Sequence, residues 1–332
     1  LLNKNQIQKV KFFYYLTNTL SLLIPRVFYR SSLKSQLKNL DQHNVESIRA
    51  RVDYYNRIDK EFQLSENAVT NNELFFNQML KLKKRFVDKI SVKKRTTYFF
   101  DLYRVFSFFP KHKKLDYKFG DITNTFPSPT IVKSRPILNS KNSIIMGLNK
   151  VRHFNFIEDS INFADKKDMA VWRGYAKNSK NREYFIKNYY NVPTFDIGQH
   201  APKINEPWYK AYMPISEQLK YKFIFCIEGA DTATNIKWVM SSNSVCVMPN
   251  PKYETWFMEG KLKPDFHYIC LKDDFSDAEE KIDFFIKHPD HVKKIIANAN
   301  DYVDQFKNKR KEKLISLLVL DKYFSYSKDH SS

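Results

Sequence analysis

The segment Lys222–Met248, KFIFCIEGADTATNIKWVMSSNSVCVM, sets two apolar runs of strand length, FIFCI and SVCVM, on either side of a polar stretch. The polar stretch opens on Glu228-Gly229 and then turns helical, carrying Asn235 and Lys237. Short apolar runs bounded by turn residues read as buried strands. The same texture extends outward from about Ile161. MAVWRG, PTFDIG and HYICL read as strands, and NREYFIKNYY, TATNIKWVMSS, ETWFMEGKL and SDAEEKIDFFIKH as helices or helical turns. Ser276 and Glu279 have the spacing of a capping box, and Pro289 to about Ser325 reads as helical throughout. Strands alternating with helices predict an α/β fold with a parallel sheet covered on both faces.

The first half is different. Leu1 to about Phe109 is mostly helical in pattern. A loop-rich stretch follows, punctuated by Pro127, Pro129 and Pro136, with TIVKSR as a short strand. At 332 residues the chain suits two domains. Charge divides along the same line. Residues 1–150 hold 28 Lys and Arg against 11 Asp and Glu, a net +17, whereas residues 151–332 hold 28 against 25, a net +3. A strongly basic half points to an anionic partner or an anionic surface. Phe12 to Pro25 carries no charge but is only 14 residues long, includes Thr17, Asn18, Thr19 and Ser21, and ends at a proline. That is shorter than the ~20 apolar residues of a spanning helix. It reads as an aromatic helix flanked by Lys9, Lys11, Arg26 and Arg30. Two readings fit it, a helix lying at a membrane interface or one packed into its own domain. Cys226, Cys246 and Cys270 all sit in apolar runs without metal-ligand spacing, as core residues of a protein in a reducing cytoplasm do.

Ligands of open parallel sheets bind beyond the C-terminal ends of the strands. Two such ends carry polar residues. In AVWRGYAKNSKNREYF, Arg173-Gly174 follows a strand and Arg182 falls near the start of the next helix, where a cation can pair with phosphate oxygens. In the opening segment, Gly229 ends a strand, and Asp231, Thr232 or Thr234 can cap the helix that follows. Such a cap would aim the helix's N–H groups at a diphosphate, with Asn235 and Lys237 adding donors and charge; an ordinary capped helix fits the same residues. There is no H-E-x-x-H, P-loop, G-x-S-x-G, G-x-G-x-x-G, paired C-x-x-C or strict D-x-D. Asp273-Asp274 reads as loop solvation, and Asp121, in KFGDIT, as a loop carboxylate where the two halves should meet.

In order, AVWRG, EQLKYKFIFCIEG, NIKWVMSSNSVCVM, YETWF, LKPDFHYICLKDDFSD and IIANANDYVDQF resemble glycosyltransferase family 90, over about Pro129 to Phe306. PTIVKSRPI, LNKVRHFNF and IEGADTATNIKW are similar to its bacterial lipopolysaccharide-modifying branch. The resemblance implies a GT-B fold: two Rossmann-like domains facing a cleft, with a helix-rich N-terminal part and a C-terminal helix crossing back. The expected divisions are an acceptor-side domain over residues 1–155, a nucleotide-sugar domain over 156–305 and the returning helix over 306–332. It also implies inverting, metal-independent transfer of a hexose from a UDP-sugar, with no cofactor, to a lipopolysaccharide core acceptor. The protein would then be cytoplasmic and peripheral on the inner membrane, against its anionic surface. Donor contacts would come from Arg173, Gly174, Arg182, Glu228, Gly229, Ala230, Asp231, Thr234, Asn235 and Lys237. Where animal relatives place Ser and Arg, this chain has Ala233 and Asn235, so the diphosphate charge falls to Lys237, Arg182, Lys133 or Arg135. Glu228 would hydrogen-bond a ribose or sugar hydroxyl, or pair with a neighbouring cation. The general base, placed by position, is Asp121. Two rival readings are a nucleic-acid-binding protein using the basic half, which lacks any recognisable binding module, and a non-catalytic membrane scaffold. On the leading reading no nucleic-acid partner is expected.

Overall fold

A strand built of unbroken apolar residues has no face fit for water, so both of its faces must be covered. The structure, a computed structural model describing residues 4–25, 27–29, 45–86, 95–176, 179–200 and 205–328, meets that demand with one parallel sheet in the second half of the chain. Its strands, labelled in chain order, are β1 (Lys167–Gly174), β2 (Phe195–Gln199), β3 (Tyr221–Phe225), β4 (Val245–Pro249) and β5 (Ile269–Leu271). All neighbours pair in parallel, in the spatial order 2-1-3-4-5. The chain therefore reverses its direction of travel across the sheet between β1 and β3, a topological switch point.

Besides a single turn at Ile215–Gln218, the helices that follow these strands are α1 (Lys180–Tyr189), α2 (Ile236–Met240), α3 (Ala278–Lys287) and α4 (Pro289–Asp304). Phe185 of α1, Ile282 of α3 and Val292 and Ile295 of α4 share a core with Trp172, Phe225 and Val247 of the sheet. Phe185 is its hub, with ring centroids 6.2, 4.8 and 4.9 Å from those of Trp172, Phe225 and Phe275.

Several elements differ from their sequence reading. Only Ile236–Met240 of TATNIKWVMSS is α-helical, because Ala230–Thr232 bend and the chain reaches helical geometry only after Asn235. Glu254 and Thr255, which open the ETWFMEGKL helical turn in the sequence reading, lie in a strand, Tyr253–Thr255, and a 3₁₀ turn covers only Glu259–Lys261. Helix α3 starts after Asp277 rather than Ser276, and neither residue caps it by side chain: Asp277 instead accepts the Lys272 N–H at 2.9 Å. The tail is two helices, because Asn308 accepts the Arg310 and Lys311 N–H groups and starts a new one, Lys309–Tyr326.

The chain forms two compact units, Leu1–Lys11 with Arg152–Lys307, which holds the sheet, and Phe12–Val151 with Asn308–Ser332. In the second unit the parallel sheet is small, Tyr117–Lys118, Thr130–Val132 and Ser143–Ile145 in that order, and helices supply most of the mass. Helix Val45–Tyr55 and helix Lys309–Tyr326 are joined by the half-buried Arg51–Glu312 pair at 2.5 Å, with Asn56 Nδ2 donating to the Val319 carbonyl at 3.1 Å. Phe324 packs on Phe106 and Phe109. Of the positions singled out from sequence, Arg26, Arg30 and the side chain of Lys9 lie outside the described residues.

Removing the hub ring leaves a cavity the core cannot close. Phe185→Ala is expected to lower unfolding stability by about 3–5 kcal/mol in urea titration; a loss below about 1 kcal/mol would contradict its central place.

Candidate functional site

At the switch point the exits of β1 and β3 diverge, leaving carbonyls that no neighbouring strand can pair. Arg182, in the first turn of α1, fills that gap. Its Nε and Nη2 donate to the Ile227 carbonyl at 3.1 and 2.8 Å, and Nη1 donates to the Tyr175 carbonyl at 3.2 Å. One guanidinium thus bridges the two strand exits. Ser179 accepts the Arg182 N–H as the cap of α1 and donates to the Glu228 carbonyl at 3.3 Å, fixing the helix to the same turn. The guanidinium also lies over the Trp172 ring, 6.0 Å from its centroid.

Both glycines at these exits are required by close approach. A Cβ on Gly229 would stand 2.9 Å from Arg182 Cζ, and one on Gly174 would stand 2.5 Å from the Trp172 ring. The described bonds of Arg182 are to neutral carbonyls, so its charge is not neutralised by a contacting carboxylate among the described ion pairs. Burial pushes the guanidinium below its ordinary value, Asp231 pulls it back, Arg152 pushes it further down and Glu228 pulls it back. Arginine stays protonated throughout, so a positive charge sits where the sheet opens.

Beside it, a pocket is lined by Asn181, Glu228, Thr232, Asn250 and Lys252. Glu228 is half-buried and accepts the Lys252 and Tyr253 N–H groups at 3.1 and 3.2 Å. Burial raises its carboxyl to about 7 against the pull of those two bonds, and Glu259 adds to the rise. The Thr232 hydroxyl is 4% exposed and has no hydrogen-bond partner among the described residues. Asp231 is buried, its carbonyl accepting the Gly229 N–H at 3.0 Å. Ala230 is exposed and Thr234 half-buried.

Other candidates are engaged elsewhere. Arg173 donates to the Asp196 carbonyl and Oδ1, both at 2.6 Å. Burial would raise the Asp196 carboxyl, but hydrogen bonds from Lys210, Tyr221 and Arg173 outweigh it and hold it at about 2. Lys237 is fully buried and pairs with Glu259 at 2.5 Å; Glu259 also accepts the Thr255 N–H at 2.6 Å. Its ammonium faces the interior, tying α2 to the Thr255–Glu259 segment. Asn235 is the N-terminal flanking residue of α2 without capping it, since its Nδ2 donates to the Phe225 carbonyl at 2.9 Å. Neither Asp231, Thr232 nor Thr234 caps α2. The expected dipole of a long helix gives way to a bent turn and a single cation.

In the other unit, Asp121 pairs with the buried Lys133 at 2.5 Å and keeps 37% of its side chain exposed. Arg135 is fully buried and braces the Tyr54, Tyr55 and Ser143 carbonyls at 2.7, 3.1 and 2.8 Å. Sequence reasoning missed Asn181, Asn250 and Lys252. The signal for the last two was the exit of SVCVM into PNPK, a third strand end that the rule for parallel sheets covers equally.

A parallel sheet of order 2-1-3-4-5 with a cation and polar turns at its switch point belongs to the doubly wound α/β class, whose ligands sit there. Residues 105–323 match the profile of Glycosyl transferase family 90, about two thirds of the chain. The chain belongs to that family and is a glycosyltransferase. It is 36% identical over 325 residues to an O-glucosyltransferase LpsA of Dichelobacter nodosus, covering 96% of each chain. It is 30% identical over 121 residues to an uncharacterized protein, 179R, of Invertebrate iridescent virus 6, covering 34% of this chain and 10% of that one.

Lys237→Ala leaves Glu259 buried and unpaired, and is expected to cost about 3–5 kcal/mol in denaturant unfolding; an unchanged midpoint would show that the pair is not structural. Glu228 binds its proton more tightly folded than unfolded, so its favourable contribution is full below about 4.5 and is lost as pH rises through about 7. Glu228→Gln, which cannot titrate, should therefore gain thermal stability relative to wild type between pH 5 and pH 8. A difference in Tm that stays constant with pH would contradict that titration.

Proposed function

We propose that the chain is an inverting hexosyltransferase of the GT-B type that moves a hexose from a UDP-sugar to the core of lipopolysaccharide, working peripherally at the cytoplasmic face of the inner membrane. The observation that carries the donor half of this reading is the Arg182 guanidinium at the switch point, whose described hydrogen bonds go to carbonyls, beside a pocket with polar turns. Diphosphate oxygens would accept from Arg182 and from the Ala230 N–H of the same turn, and Lys252 would add charge at the pocket rim. Glu228 and the Thr232 hydroxyl would take ribose or sugar hydroxyls. Arg173 and Lys237, tied to Asp196 and Glu259, would hold the surrounding backbone.

The acceptor half rests on the relative in Dichelobacter nodosus, named for O-glucosyl transfer, and on the +17 charge of residues 1–150, which suits a phosphorylated acidic saccharide. In the reaction, the acceptor hydroxyl oxygen attacks the anomeric carbon and the bond to the diphosphate oxygen breaks with its electron pair leaving on UDP. Asp121 takes the hydroxyl proton. Lys133 holds that carboxylate, and Arg182 stabilises the charge developing on the leaving group.

UDP is expected to raise the Tm of wild type, and Arg182→Ala to weaken UDP binding about tenfold or more in calorimetric titration. Asp121→Asn should retain UDP affinity and lose transfer. No Tm shift with any uridine nucleotide would overturn the donor assignment, and turnover in Asp121→Asn would move the base elsewhere.

A further inference from the structure

Surface helices of folded domains bury an apolar stripe and present polar residues to water. The N-terminal helix Lys4–Ser21 is arranged the other way round over its described side chains. Tyr14 and Asn18, one turn apart, face the protein. The Tyr14 hydroxyl donates to Asp101 Oδ1 at 2.9 Å and lies 3.1 Å from the Thr97 carbonyl. Asn18 is 1% exposed, and its Oδ1 accepts from Arg104 at 3.5 Å. Asp101, Thr97 and Arg104 all belong to helix Thr96–Phe106, so a polar seam holds one helix on the other.

The opposite side is apolar. Phe12, Leu16 and Leu20, spaced one turn apart, are 62%, 42% and 53% exposed, and Phe13 is 59% exposed. Leu23 and Ile24 in the turn that follows, and Val27 and Phe28 in the next helical stretch, are each 46% exposed or more. Nine of the eighteen large apolar side chains found exposed among the described residues fall between Phe12 and Phe28. A patch of this density on a single segment marks a surface that is covered in use.

Its surroundings are cationic. Lys11, Arg104 and Lys313 are exposed. Tyr29 packs on Phe108 with ring centroids 5.1 Å apart, and Lys313 lies over the same Phe108 ring at 4.6 Å. Burial and the neighbouring Arg104 charge both push the Lys313 ammonium below its ordinary value. Among the described residues no helix is long and apolar enough to cross a membrane. An exposed apolar side on a helix held to its own domain by a polar seam, with exposed cations on and beside that helix, has the make-up of an interfacial helix.

We propose that Phe12–Phe28 is the element by which this enzyme docks on an anionic lipid bilayer, with Phe12, Phe13, Leu16, Leu20 and Leu23 entering the acyl boundary and Lys11, Arg104 and Lys313 meeting lipid phosphates. The inference deepens the membrane-peripheral reading above and rests on it. Vesicle binding is measured without sugar nucleotide, so its failure is separable from a failure of the donor assignment.

The test is co-sedimentation of the full chain with vesicles of phosphatidylglycerol and phosphatidylethanolamine, against vesicles of phosphatidylcholine alone. Wild type should sediment with the anionic vesicles, less so at raised salt, and weakly with phosphatidylcholine. The triple variant Phe12→Ser, Leu16→Ser, Leu23→Ser should lose about tenfold or more in partitioning while keeping its UDP-induced Tm shift. The pair Leu23→Ser, Val27→Ser, outside the helix, should lose part of the binding and guards against unfolding of the triple variant. Wild type left in the supernatant, or the pair and the triple variant both binding like wild type, would overturn the proposal. So would sedimentation velocity showing a lipid-free dimer that the pair dissolves, since the patch would then be covered by a second copy of the chain.

Discussion

The arrangement of the sheet unit depends on one cation. Where β1 and β3 part, two strand exits run apart with unpaired carbonyls, and Arg182 spans them with three donors. The bridge has consequences in the sequence. Gly229 and Gly174 must lack a Cβ because the guanidinium and the Trp172 ring occupy that space. Ser179 must start α1 so that Arg182 enters its first turn. Since the partners are neutral carbonyls, the bridge organises the backbone without an ion pair among the described contacts. On the proposed reading, the group that closes the gap in the sheet is also the one that meets the donor.

The remaining cations divide by what they touch. Arg173 is fixed to Asp196, Lys237 to Glu259, and Arg135 to three carbonyls. Each removes a charge or a set of donors from contact with a ligand and uses it to hold backbone in place. A buried ion pair contributes little net stability but is costly to break, so Arg173 and Lys237 act on the backbone of the sheet unit, and Arg135 on that of its own unit. Glu228 stands between the two roles: its backbone partners hold it, yet burial keeps its carboxyl near neutrality, as suits a group that both accepts and donates to hydroxyls.

The sheet was legible in the sequence because FIFCI, SVCVM, HYICL and MAVW are short uncharged, largely apolar runs, and such runs admit few alternatives. The strand-end rule then led to Arg173-Gly174 and Glu228-Gly229, and both flank the switch point. What each side chain does there was not legible. Arg173 and Arg182 look alike in sequence, and only Asp196, more than a dozen residues downstream of either, decides that one is neutralised and the other is not. Lys237 reads as an exposed first-turn cation until Glu259 is brought against it. The helix in TATNIKWVMSS is shorter than its reading, and Thr232, Thr234 and Asn235 are residues that favour caps and turns; the bend comes from Gly229 closing on Asp231 and from the Asn235 amide engaging Phe225. In the first half, TIVKSR reads as a strand and is one, broken in two at Lys133, while the two-residue strands carry too little pattern to be seen, and the N-terminal helix fits interface and interior equally from sequence.

The central claim is that a nucleoside diphosphate is held at the opening between β1 and β3. Hydrogen–deuterium exchange of the full chain with and without UDP tests it most directly. The account predicts slowed exchange in the backbone of residues 174–182 and 227–235, with a smaller effect at 250–253. Protection confined to other segments, with those turns exchanging as they do in the free protein, would contradict it.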